Sequence, residues 1–346
     1  MIALKRATVV IVALLAACSG AAPATDVPGA SSASPAVSPT ATRSPAPSAD
    51  GFAGSVAITV PPGEPIIVIA GDDAVWGTVF KAAGRDIIRI DPQTNQVTTV
   101  VRDLPVAQIA SVGAGGSIWS ADYDTDTVTR FDATTGEELG TLAVGAAPIE
   151  PVVAYGSVWT LNHGGGTVSR IDPATGSVLA TIEVGPGSGA GPLAMADDGE
   201  LLWVASPNNP ELVAIDPATN LVAREIALED PDCANYVAYA AGRLWAAPCG
   251  IPGLVIYDVE SGERLGAVTR AVQNVPIFID GVVWLAMPDA ATNRLLLGAV
   301  DLETLEITQT LDLAPAEAVI LQAFDSLWIQ SGTTWTRVPL TSLPPA

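Results

Sequence analysis

The sequence predicts an all-β protein, a seven-bladed β-propeller built from four-stranded antiparallel blades. Three observations support this fold: a tryptophan recurs about every 42 residues, most tryptophans are followed at a fixed distance by an aspartate turn, and the intervening segments are short and rich in Val, Ile and Thr. No segment shows a helical period. With 346 residues, of which 49% are hydrophobic, the chain can bury a large core.

Seven tryptophans define the repeat, and each follows a Val, Ile or Leu shortly after a turn that contains Gly or Asp. They are Trp76, Trp119, Trp159, Trp203, Trp245, Trp284 and Trp328. Large apolar rings at such positions are expected to fill the wedge between neighbouring blades. The alternative is a quinone cofactor, because some quinoprotein propellers carry a tryptophan motif in each blade.

The aspartate turns follow the tryptophans by 13 residues at Asp132, Asp172, Asp216 and Asp258, with looser copies at Asp91 and Asp301. The carboxylate is expected to accept hydrogen bonds from downstream N–H groups, and a Gly or Asn closes the hairpin in the left-handed conformation. Leu305 occupies that closing position in the sixth copy, so a different turn is expected there.

The last repeat lacks a fourth strand before the chain ends. The segment Gly54–Pro65, at the other end, resembles the outer-strand segment ATIEVGPGSG of the third repeat. We therefore expect the N-terminal strand to complete the last blade and close the ring. An open solenoid, the alternative, needs no such complement.

The repeats, with VSRIDPATG as their clearest copy, resemble the YVTN/YncE-like and streptogramin-lyase-like β-propellers over about Gly54 to Leu340. The resemblance implies the propeller fold and a ligand-binding face formed by loops. For the lyases it further implies a histidine base, a nearby acid and a divalent metal. Propellers host many unrelated activities, so the motifs indicate fold more than function.

One loop face is expected to collect the connections from second to third strands and from outer strands to the next blade. It would carry Tyr123, Asp124, Asp126, Glu150 and His163. His163, the only histidine, is the candidate catalytic base. A metal site usually needs several converging ligands, so we expect no cofactor, with a divalent cation as the alternative. The glycines 164–166 lack the Lys-Ser/Thr of a phosphate loop.

Cys233 and Cys249 lie at the same end of a hairpin that turns near 241–242. In an exported protein a disulfide between them is the favoured interpretation, and two free buried thiols are the alternative.

The N-terminus carries an export signal. Residues 1–17 hold a basic start and a short apolar run, and Leu15-Ala16-Ala17-Cys18 resembles the lipobox of bacterial lipoproteins. The resemblance implies lipidation of Cys18; a plain secretory signal with a chance cysteine is the alternative. Residues 18–51, rich in Ala, Ser, Pro and Thr, are expected to form a disordered tether. The propeller then spans 52–341 and a short tail 342–346.

A formal charge of -22 repels phosphate backbones and argues against nucleic-acid binding. The sequence thus favours an exported monomer, anchored by lipid to the outer face of the cell membrane or to another cell-envelope membrane, with no other membrane contact. On its loop face it would bind or scaffold a protein or small-molecule ligand without catalysis. The alternative is a streptogramin-lyase-like, metal-dependent eliminase that uses His163.

Overall fold

A computed structural model describes residues 52–61, 64–105, 108–186, 191, 193–229, 233–272, 276–316, 318–331 and 334–344. The predicted leader, the Cys18 lipidation site and the predicted tether lie outside these residues. None of the helical segments within them has the length and apolar character needed to cross a membrane.

Seven four-stranded antiparallel sheets form a seven-bladed β-propeller, which confirms the predicted fold class. The innermost strands are β2 (Glu64–Ala70), β6 (Gln108–Ala114), β10 (Pro148–Ala154), β14 (Ala194–Asp197), β18 (Ala234–Ala240), β22 (Ile277–Ile279) and β26 (Val319–Ala323). The second strands are β3 (Val75–Lys81), β7 (Ser117–Asp122), β11 (Ser157–Asn162), β15 (Leu202–Ala205), β19 (Arg243–Pro248), β23 (Val282–Asp289) and β27 (Ser326–Ser331).

The third strands are β4 (Gly84–Ile90), β8 (Thr127–Asp132), β12 (Thr167–Asp172), β16 (Glu211–Asp216), β20 (Leu254–Asp258), β24 (Arg294–Val300) and β28 (Thr334–Pro339). The outer strands are β5 (Val97–Leu104), β9 (Glu138–Ala143), β13 (Ser177–Glu183), β17 (Leu221–Ala227), β21 (Arg264–Val268), β25 (Ile307–Pro315) and β1 (Val56–Thr59). We number the blades 1 to 7 from β2, so that blade 7 contains β26, β27, β28 and β1.

The repeated tryptophans are buried in the core between blades, as predicted. In four blades the indole N–H donates to the carbonyl oxygen of the alanine five residues earlier, at the end of the inner strand; Trp159 Nε1 lies 2.9 Å from Ala154 O, and Trp119, Trp245 and Trp328 repeat the bond. The ring thus fills space while its one polar atom is satisfied.

An arginine joins each of several tryptophans to the following blade, a role that the sequence analysis did not assign. The Arg170 guanidinium lies 5.0 Å from the Trp159 ring, and its Nε donates to Ser157 Oγ at 2.8 Å. Its Nη1 donates to Asn220 Oδ1, in the aspartate turn of blade 4, at 2.8 Å. One planar cation therefore stacks within its own blade and binds the next.

The same arrangement links blade 7 to blade 1. Arg337 lies over Trp328, donates to Ser326 Oγ and reaches Asn95 Oδ1 at 3.2 Å. In blade 4 the arginine comes from the outer strand instead: Arg224 lies 5.9 Å from the Trp203 ring and donates to carbonyl oxygens of the blade 5 turn.

The aspartate turns have the predicted hydrogen bonds. Asp132 Oδ1, for example, accepts from the backbone N–H groups of Thr134 at 2.9 Å and Thr135 at 2.7 Å, and these bonds hold the pKa of the Asp132 carboxyl below its usual range. The expectation of a different sixth turn is wrong. Leu305 adopts φ 59° and donates to Asp301 O as the glycines and asparagines do, because the carboxylate of Asp301 imposes the turn on a residue that disfavours it.

The fourth strand of blade 7 comes from the start of the described chain. Strand β1 pairs antiparallel with β28, with Ile58 opposite Trp335. The side chains of Ile58 and Val60 are buried in a cluster that also contains residues of blades 7 and 1.

Removing residues up to 61 is expected to destabilise the propeller strongly, while removing residues up to 51 should leave its melting temperature unchanged. The longer truncation exposes the edge of β28 and removes two buried aliphatic side chains, each contributing about 1.5–3 kcal/mol. Thermal unfolding of the two truncated chains measures the difference. Equal melting temperatures would show that β1 contributes nothing to the ring.

Replacing Arg170 with Lys is expected to cost about 1–3 kcal/mol, because an ammonium cannot stack on Trp159 while also donating to Ser157 and Asn220. Arg264→Lys, on the exposed face of β21, is the matched control and should change stability little. Urea unfolding followed by tryptophan fluorescence reports both values. A loss no larger than the control's would contradict the linking role of Arg170.

Candidate functional site on the loop face

The connections that leave the second strands and those that enter the next blade lie on one face, which we call the loop face. Tyr123, Asp124 and Asp126 lie between β7 and β8, and His163 lies between β11 and β12. Backbone hydrogen bonds knit these loops to the connection between blades 2 and 3: Val144 N donates to Asp126 O, and His163 N donates to Ala147 O.

The loop of blade 2 is held at both ends by aspartates. Asp122 Oδ1 accepts from the N–H groups of Asp124 and Thr125, each at 3.1 Å. Asp126, in the left-handed conformation at φ 58°, accepts from Ala147 N at 2.8 Å through Oδ1. Between these two anchors the side chain of Tyr123 is 42% exposed. The loop therefore presents an aromatic ring to solvent on a fixed backbone.

His163, in the connection between β11 and β12, contacts the connection between β13 and β14 through both its backbone and its ring. Its carbonyl oxygen accepts from Gly191 N at 2.9 Å, and its Nδ1 lies 3.2 Å from Gly191 O. Because a carbonyl oxygen can only accept, Nδ1 carries the proton and the lone pair of a neutral ring is on Nε2. A Cβ at position 191 would lie 2.1 Å from His163 O, so this approach requires glycine.

The glycine triplet after His163 forms a tight loop and no anion cradle. Gly164 N donates to Ala146 O, while Gly165 N and Gly166 N both donate to Asn162 O. Only Gly166 has a positive φ, at 66°. Since all three N–H groups are already used within the protein, none is left to point at a phosphate.

The predicted disulfide joins Cys233 to Cys249, with their Cα atoms 5.8 Å apart. It ties the start of β18 to the end of β19 at the loop face, and Cys249 N also donates to Cys233 O. The next loop residue but one, Ile251, is 52% exposed. A second loop thus presents an apolar side chain beside a covalent anchor.

Glu150 does not lie in a loop, contrary to the expectation from sequence. It belongs to the innermost strand β10, where Ile149 pairs with Leu161 and Val152 with Trp159, so that Glu150 and Pro151 together oppose Thr160 in a β-bulge. Its side chain is only 5% exposed and its φ is 44°. Burial raises the pKa of the Glu150 carboxyl well above its usual range.

Three of the acids that a His163-centred eliminase would recruit are either bonded to the loop backbone or buried. Asp126 and Asp122 hold the loop backbone, and Glu150 is buried in its strand. Across the described part of the chain, no three or more His, Cys, Asp or Glu side chains are grouped so that they could hold a metal ion.

Comparison with known proteins identifies the architecture. The chain matches virginiamycin B lyase from Staphylococcus aureus with a TM-score of 0.62 and 17% identity, over 82% of this chain and 98% of that one. A streptogramin B lyase matches with a TM-score of 0.61 and 17% identity, over 82% and 96%. BamB from Moraxella catarrhalis matches at 0.55 and 14%, over 83% and 98%.

At these identities the likeness shows the propeller fold alone. No protein-family profile and no curated protein sequence matches the chain.

The Glu150 carboxyl predicts a specific pH dependence. A carboxyl whose pKa is higher in the folded than in the unfolded state favours folding below its unfolded pKa, and this contribution is lost as the pH rises through the folded pKa. Glu150→Gln should therefore gain melting temperature over the wild type progressively as the pH rises above the usual carboxyl range. The matched control is Glu183→Gln, an exposed acid on β13 of the same blade. A difference that stays constant with pH would contradict the buried acid.

Proposed function

We propose that this protein is an exported, lipid-anchored propeller whose loop face binds a protein or small-molecule ligand without catalysis. The observation that carries the proposal is the pair of exposed apolar side chains, Tyr123 and Ile251, on loops fixed by hydrogen-bonded aspartates and by a disulfide. Aromatic anchors on preorganised loops lose little entropy on binding, as in interface hot spots.

The leader and the cysteines support the proposed location outside the cell. The lipobox-like Cys18 and the disulfide-bonded Cys233 and Cys249 both suit an oxidising compartment beyond the cell membrane. With the anchor in the membrane, residues 18–51 would span at most roughly 100 Å, because a Pro-rich chain extends about 3.1 Å per residue. The propeller would then engage partners away from the lipid surface.

Site-specific photocrosslinking on intact cells tests the binding face. A benzophenone amino acid at position 123 or 251 should yield a discrete crosslinked species, because both positions lie on the proposed face. The same group at position 139 of β9, where the native leucine is 52% exposed on the outer edge, is the control. Equal products at all three positions, or none at 123 and 251, would contradict binding at the loop face.

The rival function is a metal-dependent eliminase that uses His163. A solved complex of catalytically inactive virginiamycin B lyase with quinupristin involves a His-to-Ala variant of that enzyme. We expect no elimination on quinupristin by the wild-type protein with Mg²⁺, because Asp122 and Asp126 hold the loop backbone and Glu150 is buried in its strand. Mass spectrometry of the reaction settles this, and turnover that His163→Ala abolishes would overturn the non-catalytic proposal.

Cys18→Ser tests the anchor separately. The variant should move from the membrane fraction to the soluble fraction or the medium, because no acyl chain can be attached to serine by a thioether. Immunoblotting of fractionated cells measures the shift. Retention of the variant in the membrane would contradict lipidation at Cys18, and it would leave the photocrosslinking result unaffected.

A further inference from the structure

Blade 3 contains two buried acceptor oxygens that receive no hydrogen bond. Among the described residues, no donor reaches Glu150 Oε2 or Asn162 Oδ1, although both side chains are almost or wholly inaccessible to solvent. Burying an acceptor without a donor is unfavourable, and more so for a charged group. Glu150 also has a left-handed backbone, which is unfavourable for a side chain of this size. Two unfavourable features at one residue point to a function.

The strand register places the two residues at neighbouring positions. Glu150 lies in the bulge opposite Thr160, and Asn162 is two residues beyond Thr160 on β11, so its side chain leaves the same face of the sheet. Diagonal neighbours across an antiparallel pair lie about 7–8 Å apart at their backbones, and a glutamate side chain spans most of that distance.

The donors around them are already used. Asn162 Nδ2 donates to Thr167 Oγ1 at 2.8 Å and to Ser169 Oγ at 2.9 Å, and Thr160 Oγ1 donates to Ile149 O at 3.0 Å. What remains is a set of oxygen acceptors. The connection from blade 2 closes over them, because a Cβ at Gly145 would lie 2.5 Å from Asn162 Nδ2.

The face involved is the one that meets blade 2. Val158, two residues before Thr160 on β11, packs in a cluster with Trp119 and Ala121 of that blade. By the alternation of strand side chains, Thr160 and Asn162 share this direction. The acceptors thus lie in the seam between blades 2 and 3, whereas the ring of His163 contacts Gly191 on the way to blade 4.

A small cation can both bind the two acceptor oxygens and neutralise the carboxylate charge, whereas a water molecule can only donate hydrogen bonds. At a pH high enough to ionise Glu150, a water could donate to both oxygens, but it would leave the carboxylate charge uncompensated in a buried site. Hard oxygen ligands favour hard cations, and a single carboxylate supplies one negative charge. This favours a monovalent ion over a divalent one.

We propose that Glu150 Oε2 and Asn162 Oδ1 bind a small monovalent cation, of the Na⁺ or K⁺ class, in the seam between blades 2 and 3. The ion neutralises the buried carboxylate and joins the inner and second strands at the bulge. The site is independent of the loop-face partner.

Thermal unfolding of the full chain at about pH 8 tests the site. The probes are NaCl and KCl, compared with tetramethylammonium chloride at equal concentration, whose cation is too large for the seam. At saturation one alkali salt should raise the melting temperature by about 3 °C or more over the control salt. Glu150→Gln should abolish this increment, and Glu183→Gln should retain it.

Identical melting temperatures in all three salts would overturn the proposal, since Glu150 would then hold a proton and not a metal ion. An increment that survives in Glu150→Gln would also overturn it, because the ion would bind elsewhere. If Glu150→Gln does not fold, crystals of the wild-type protein grown with rubidium chloride provide the second measurement. An anomalous-scattering peak beside Glu150 Oε2 is expected, and its absence at that position would refute the site.

Discussion

The stacking of an arginine on its blade's tryptophan, with the remaining N–H groups directed at the next blade's turn, is the directional contact that fixes blades 3, 4 and 7 against their neighbours. A sheet packed only through apolar side chains could slide or tilt against its neighbour, because hydrophobic contact is not directional. Arg170 removes that freedom, since its planar guanidinium must satisfy Trp159, Ser157 and Asn220 together. Blade 7 ends the series by contacting Asn95 of blade 1.

Because the contacts that hold the blades together lie outside the loop face, the loops on that face can differ from blade to blade. The tryptophans, arginines and aspartate turns act within and between the sheets, so the second-to-third connections carry little of the packing. Their fixed points are local instead: Asp122 and Asp126 in blade 2, Gly191 with His163 in blade 3, and the disulfide in blade 5. On such a scaffold, function resides in loops whose rigidity comes from their own hydrogen bonds or disulfide and not from blade packing.

The sequence predicts the blade core because residues that occupy the same place in each blade recur about every 42 residues and can be recognised by that spacing. Trp159, the Asp172 turn and the disulfide follow from that period and from the pairing of one hairpin. The arginines were missed since their partners lie in the next blade, tens of residues away. Glu150 was misplaced because the inner strand begins at Pro148, before the apolar run that starts at Pro151, and its bulge breaks the alternation there. Leu305 shows the converse, with the turn's carboxylate overriding the residue's own preference.

The pairing of β1 with β28 has a consequence for how the chain matures. Val56 lies opposite Arg337, so β1, the first described strand, cannot pair until β28, the last strand, has been made. During synthesis the N-terminal strand emerges with no sheet to join, while blades built from consecutive strands can form as they appear. Contacts of such long sequence separation form slowly. Until β1 pairs, the edge of β28 is unpaired, and such an edge is where another chain can add a strand.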